Sequence, residues 1–190
     1  MQRQLIIFTD IGDTIIDEGT EYREVPCGVV YHADCIPGAK EAMLKLYEEG
    51  YQIVMVADGL IESFTNTMRE NGLSHIFAAR AISEEIGIEK PRPEIFRLAM
   101  ERMGLTDEDK YRVVMIGNNV HRDMVGARRF GIRSIQLAWS PRYPVVTDDP
   151  EELADYRIFK PEDLPELIDR LERELGKDNT AASAEEEKTA

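Results

Sequence analysis

Leu5-Ile6-Ile7-Phe8-Thr9-Asp10-Ile11-Gly12-Asp13-Thr14-Ile15-Ile16 is the stretch whose reading decides the fold. Its opening apolar run reads as a strand buried on both faces, because a strand with one wet face would alternate polar and apolar residues. Asp10 then falls at the carboxyl end of that strand, where open parallel sheets bind ligands in the crevice beyond the strand termini. Taken alone, Asp10 is either a chemical group placed at that crevice or a turn residue, since Asp and Gly both favour turns.

The rest of the chain repeats the pattern. Gln52–Ala57 is a second buried strand ending at Asp58-Gly59, and Phe77–Ile82 is a short third. Arg112–Ile116 and Ile132–Leu137 are the fourth and fifth, and Tyr156–Ile158 is a last edge strand. Between them lie amphipathic helices. Pro37-Gly38-Ala39 opens one that buries Ala42, Met43 and Leu46 with Tyr47 alongside, and Gly50 ends it. Leu60–Leu73 is the next, stopped by Asn71-Gly72, and a third follows Pro93 with Ile95, Phe96, Leu98 and Ala99 inward. Leu164–Leu175 closes the set. Strands alternating with helices predict an α/β fold: a three-layer, doubly wound, Rossmann-like parallel sheet with right-handed crossovers and helices on both faces.

At 190 residues and 43% hydrophobic composition, the chain supports one domain, placed at residues 1–175. Residues 17–36 read as a loop and short hairpin turning near Pro26-Cys27-Gly28, a flap too small to be a domain. Gly176–Ala190 is small, polar and acidic, and is expected to be a disordered tail. A net charge of -14 argues against nucleic acid or an anionic membrane as partner, since both would repel it. With no twenty-residue apolar stretch and no secretory pattern, the expected location is the cytoplasm. Cys27 and Cys35, with His32 and Asp34 nearby, lack the paired spacing of a zinc site and read as reduced thiols.

Two more segments carry chemistry. Glu89-Lys90-Pro91-Arg92-Pro93 fixes a lysine just before a helix, with Pro91 holding Lys90 outside it and Pro93 suited to the first turn. Gly117-Asn118-Asn119-Val120-His121-Arg122-Asp123 follows the fourth strand. Asp123 there is either a site carboxylate or an acid favoured by the N-terminus of the next helix. His121 has no companion at metal spacing and reads as a surface residue, as does Arg142 in the loop Trp139–Pro144, although that loop also leaves a strand's carboxyl end.

Together with the first stretch, these segments resemble the haloacid dehalogenase superfamily of hydrolases, over Leu5 to about Ile168. The resemblance is specific at the first, third and fourth motifs and degraded at the second. It implies that Asp10 is a nucleophile forming an aspartyl phosphate and that Lys90 offsets negative charge beside it. Mg²⁺ would be held by Asp10, the Gly12 carbonyl, Asn118 and Asp123. Thr14 supports the loop by the same resemblance, while the Asp58 and Gly59 amides are expected, as turn amides, to donate to an anion. The implied substrate is a small phosphorylated molecule. No large cap domain fits, so the site is open unless a second copy covers it, and the hairpin around Val25–Ala33 is the element available for such a homo-oligomer.

The chain departs from the family pattern in three places. Gly12 stands where the phosphatases carry an acid two residues after the nucleophile, Ala57 where they carry Ser or Thr, and Asn118 where they carry a charged metal ligand. The reading is therefore a Mg²⁺-dependent phosphatase, with a metal-independent dehalogenase-type hydrolase or a catalytically weak binding domain as alternatives.

Overall fold

The computed structural model describes residues 3–144 and 147–189, with side chains in the last helix given through Lys177. In chain order its elements are β1 (Ile6–Thr9), β2 (Tyr22–Arg23), β3 (Val30–His32), α1 (Ala39–Glu48), β4 (Gln52–Ala57), α2 (Ile61–Glu70) and β5 (Phe77–Ile82). There follow α3 (Ser83–Ile86), α4 (Pro93–Arg102), β6 (Val113–Gly117), α5 (Val125–Phe130), β7 (Arg133–Leu137), β8 (Tyr156–Ile158) and α6 (Leu164–Thr189). Six strands form one parallel sheet in the order β5-β4-β1-β6-β7-β8. β1 lies inside it, with Thr9 in register with Met55 on one side and Ile116 on the other.

Double-sided burial explains the unbroken apolar run of β1, because successive side chains of a strand point to opposite faces. Leu5 and Ile7 join Ile53, Met55, Val114 and Ile116 in a core beneath α1 and α6. Ile6 and Phe8 join Val54, Val56 and Met115 in a second core against Ile95 and Phe96 of α4 and Phe130 of α5. Each such fully buried Ile or Phe contributes about 1.5–3 kcal/mol relative to exposure. The three-layer expectation holds.

The flap is the antiparallel pair β2–β3, and it is clasped to α2. Ser63 Oγ accepts the Val30 N–H at 3.0 Å, Asn66 Nδ2 donates to Val30 O at 3.2 Å, and Asn71 Nδ2 donates to Ala33 O at 2.9 Å. His32 Nδ1 meets Glu70 Oε1 at 2.6 Å. Cys27 and Cys35 are free thiols.

Boundaries differ from expectation in a few places. Arg112 belongs to a 3-10 turn, Asp107–Arg112, ahead of the strand it was expected to open, because Thr106 and Asp109 form a capping box that nucleates the turn. The short α3 was not foreseen. α6 continues to Thr189, so the tail expected to be disordered from Gly176 falls within its bounds; the Ala, Glu and Lys residues there are good helix formers. Ala190 and the side chains from Asp178 onward lie outside the described residues. Among the described residues, no helix is long and apolar enough to cross a membrane.

Candidate active site

The carboxyl ends of β1, β4 and β6, which adjoin one another in the sheet, bring the singled-out residues together. Lys90 arrives from the loop between α3 and α4, 80 positions from Asp10. Its ammonium lies 2.7 Å from Asp10 Oδ1 and 2.8 Å from Asp123 Oδ1, and donates to Val56 O at 2.9 Å. The Lys90 and Asp123 side chains are 1% exposed and that of Asp10 is 14% exposed, so Asp10 is the more solvent-accessible of the two carboxylates.

The electrostatics follow from this geometry. Burial alone would drive the Lys90 ammonium down, but the charges of Asp10, Asp123 and Asp58 outweigh it and hold it above the ordinary lysine range. Burial pushes the Asp123 carboxyl up, with Asp10 adding to the rise while Lys90 and the Asn119 N–H pull it back. Asp123 lies in a π-helical turn, Val120–Met124, rather than in the first turn of an α-helix, and its Oδ2 accepts the Asn119 N–H at 3.1 Å. Asn119 caps that turn, its Oδ1 accepting the N–H groups of His121 and Arg122. His121 is a surface residue, as expected, and pairs with Glu152.

A cavity of about 160 Å³ opens over this cluster. Asp10, Gly12, Glu18, Asp58, Gly59, Lys90, Asn118 and Asp123 line its floor, and Glu21, Arg23 and Val30 of the flap region, with Phe64 of α2, form one wall. Asp58 reaches the cavity as a latch. Its Oδ1 accepts the Lys90 N–H at 3.0 Å and its Oδ2 pairs with Arg122 Nη1 at 3.3 Å, which ties the lysine loop to the end of β4.

The Gly59 amide, expected to donate to phosphate, is already engaged, and Thr14, expected to support the loop, lies outside the cavity lining. The Gly59 N–H donates to Ser83 Oγ at 2.9 Å, because α3 starts where the neighbouring strand β5 ends, so that amide is already engaged. Thr14 is buried, and its hydroxyl has no hydrogen-bond partner among the described residues.

Asp13 is turned away as well. It adopts a left-handed φ of 47°, its Oδ1 accepts the Glu18 N–H at 3.1 Å, and its Oδ2 pairs with Arg142 Nε at 2.9 Å. Burial pushes its carboxyl up in spite of those contacts. Arg142, read from sequence as a surface residue, thus reaches the site's edge, where Nη1 also pairs with Glu18 Oε2 at 2.8 Å. Glu18 and Arg23 carry no motif of their own, and Arg122 stands inside the Gly117–Asp123 segment with no role read for it. Only the turn that folds residues 17–20 back over the β1 loop, and the flap and helix that bring the two arginines, reveal them.

For a cation, the donors are hard oxygens: the Asp10 and Asp123 carboxylates and the Asn118 amide, whose buried Nδ2 has no partner among the described residues. Among the described residues, no three His, Cys, Asp or Glu side chains gather for a metal. Two carboxylates with neutral oxygens suit an ion that keeps several waters, as Mg²⁺ does.

The family model for haloacid dehalogenase-like hydrolases matches residues 4–131. The chain is 31% identical over 150 residues to the glyceraldehyde 3-phosphate phosphatase of Pyrococcus furiosus, covering 78% of this chain and 59% of that one. It is 30% identical over 122 residues to the phosphoserine phosphatase of Thermus thermophilus, covering 64% and 46%. The chain therefore spans about half the length of these curated relatives. An uncharacterized protein from Listeria monocytogenes serotype 4b superimposes with a TM-score of 0.72 at 22% identity, covering 89% of this chain and 99% of that one. The HAD-hydrolase YfnB from Bacillus subtilis, bound to magnesium, gives 0.63 at 24% identity, covering 71% and 56%. The family match runs from just before β1 to the end of α5, across every strand end that contributes to the cavity, and by that match the chain belongs to the haloacid dehalogenase-like hydrolases.

Proposed function

We propose that the protein is a Mg²⁺-dependent phosphatase that hydrolyses a small phosphomonoester through an aspartyl phosphate on Asp10. The observation that carries this reading is the buried ammonium of Lys90 held between Asp10 and Asp123. An anionic nucleophile attacking an anionic phosphate needs fixed positive charge beside it, and a cation enclosed on the sheet side of the nucleophile supplies it without closing the solvent side.

In the first step an Asp10 oxygen forms a bond to phosphorus as the bond to the leaving oxygen breaks. In the second, water attacks phosphorus and the bond to Asp10 breaks, returning its electron pair to the carboxylate. Lys90 orients the Asp10 carboxylate for attack and offsets its negative charge, and Asp58 holds the Lys90 loop. Asp10, Asn118 and Asp123 would hold Mg²⁺, which when bound offsets charge on the phosphoryl oxygens. The phosphatase names of the curated relatives and the magnesium in the YfnB structure support the same assignment.

Phosphate release from a panel of phosphorylated metabolites, with Mg²⁺ and with EDTA, tests it. Turnover should require the metal and vanish in Asp10→Asn with the fold intact. Retained turnover in a folded Asp10→Asn protein sinks the mechanism. A dehalogenase-type hydrolysis is the second reading, favoured by Gly12 and Asn118; halide release from a 2-haloacid in EDTA would establish it instead.

A further inference from the structure

Position 12 has no side chain, yet the space beside it is filled. A Cβ placed on Gly12 would lie 2.1 Å from Glu18 Oε1 and 3.0 Å from Glu18 Cδ. Gly12 is not among the glycines with positive φ, so its backbone conformation does not call for glycine. What occupies the side-chain space there is the carboxyl group of Glu18.

Glu18 is held once at its carboxyl group and once at its backbone. Arg142 Nη1 grips Oε2 at 2.8 Å, and Asp13 Oδ1 accepts the Glu18 backbone N–H at 3.1 Å. Asp13 Oδ2 pairs in turn with Arg142 Nε at 2.9 Å, which closes a ring of contacts around the Glu18 turn. With Oε2 engaged, Oε1 is the oxygen that overlies Gly12. Glu18 lines the same cavity as Asp10 and Lys90, whereas Asp13, the nearest acid in sequence, does not.

We propose that Glu18, reaching in from the segment that leads to the flap, is the proton donor to the leaving group, in place of an acid at position 12. The proposal rests on the phosphatase reading above. As the bond between phosphorus and the leaving oxygen breaks, its electron pair stays on that oxygen, and the Glu18 proton passes to it. When water then attacks the phosphorus of the aspartyl phosphate, the water proton passes to Glu18 and restores it. Arg142 and Asp13 are positioning residues that fix which oxygen faces the reaction.

The test compares an alkyl phosphate, glycerol 3-phosphate, with an aryl one, 4-nitrophenyl phosphate, whose leaving oxygen needs no proton. General acid catalysis contributes about 10²–10⁴-fold. Glu18→Gln, of the same shape, should therefore lower the alkyl-to-aryl ratio of kcat/KM, which reports departure of the leaving group and not the hydrolysis common to both substrates, by roughly a hundredfold or more. Gly12→Asp placed in a Glu18→Ala background, where the space has been vacated, should recover at least about tenfold of the lost alkyl rate. A ratio within about threefold of wild type in folded Glu18→Gln overturns the proposal while leaving the phosphatase reading intact. Absence of phosphate release from both substrates by wild type overturns the reading and the proposal together. Should Glu18→Gln not fold, the Glu18→Ala/Gly12→Asp protein decides: alkyl turnover no better than in Glu18→Ala counts against a carboxyl acting from this position.

Discussion

Replacing Lys90 by Met keeps most of the side chain's volume and removes its charge. In the wild type the ammonium touches two carboxylate oxygens, at 2.7 and 2.8 Å, and a carbonyl at 2.9 Å, in a site where its side chain is 1% exposed. Without it, Asp123 is a buried carboxylate whose named partner is the Asn119 N–H, facing Asp10 across the vacated space. Breaking a buried ion pair from one side costs about 3–5 kcal/mol, chiefly because a charge is left uncompensated. That is roughly two to four decades in the unfolding equilibrium, and a large fraction of the about 5–15 kcal/mol typical of a domain.

The deficit should depend on pH. Losing Lys90 removes a pull that lowers the Asp123 pKa, so the folded-state value, already raised by burial, rises further above the unfolded one. A group with a raised folded pKa stabilises the fold when protonated, and that contribution is lost as pH rises through the folded value. Lys90→Met should therefore be most destabilised at pH 8 and recover toward pH 5. Urea unfolding followed by circular dichroism in metal-free buffer reads this directly, and Lys90→Met/Asp123→Asn should regain at least about half of the loss at pH 8. A loss under about 1 kcal/mol at pH 8, or a loss that does not change with pH, would refute the enclosed arrangement of charges.

Three further outcomes follow from the same contacts. Gly126→Ala should destabilise by about 1–2 kcal/mol despite alanine's better helix propensity, since its Cβ would lie 2.7 Å from the Phe96 ring, which is buried and stacked on Phe130; a rise in Tm would contradict this. The hydrogen bond to Glu70, followed by Glu70's charge, raises the pKa of His32, so the clasp between flap and α2 should be complete below the unfolded value of about 6.5 and weaken as pH rises through the folded one. Hydrogen exchange at the Val30 to His32 amides should quicken over that window, and His32→Gln should abolish the pH dependence. Asp58→Ala, which frees the Lys90 N–H and leaves Arg122 paired with Glu89, should cost about 1–3 kcal/mol and raise the exchange rate of the Lys90 amide, measurable by mass spectrometry.

The legible parts of this protein were those written in local patterns. The apolar run of β1 announces a strand buried on both faces, and the two cores that flank it are the reason it has no polar alternation. Asp10, Lys90 and Asp123 could be singled out because each follows a strand or precedes a helix with marked turn chemistry. Glu18 could not. Its position depends on the chain doubling back after Ile16, where bridges join Gly12 to Ile16 and Ile16 to Cys35, and no spacing rule encodes that path. The engagement of the Gly59 amide was hidden for a similar reason: its partner, Ser83, stands 24 residues on and arrives only when β5 pairs with β4. Asp123 shows a third kind of gap. Carboxylates at helix starts and carboxylates in sites obey the same preference, so only its approach to Lys90 separates the two.

The inner position of β1 also sets an order of events during synthesis. Ile6 to Thr9 must pair with residues 52–55 and 113–116, so the strand that ends at Asp10 leaves the ribosome long before its second neighbour exists. At about 5–20 residues per second, β6 follows β1 by roughly 5–20 s, an interval in which one edge of an apolar strand has nothing to bond. Loops this long close slowly, so the nascent chain should be a client of holding chaperones until residue 117 has emerged. Lys90 is made before Asp123, so the charge cluster is completed only with the strand order itself, and a chain stalled between them would present a strand edge to aggregation rather than a half-working site.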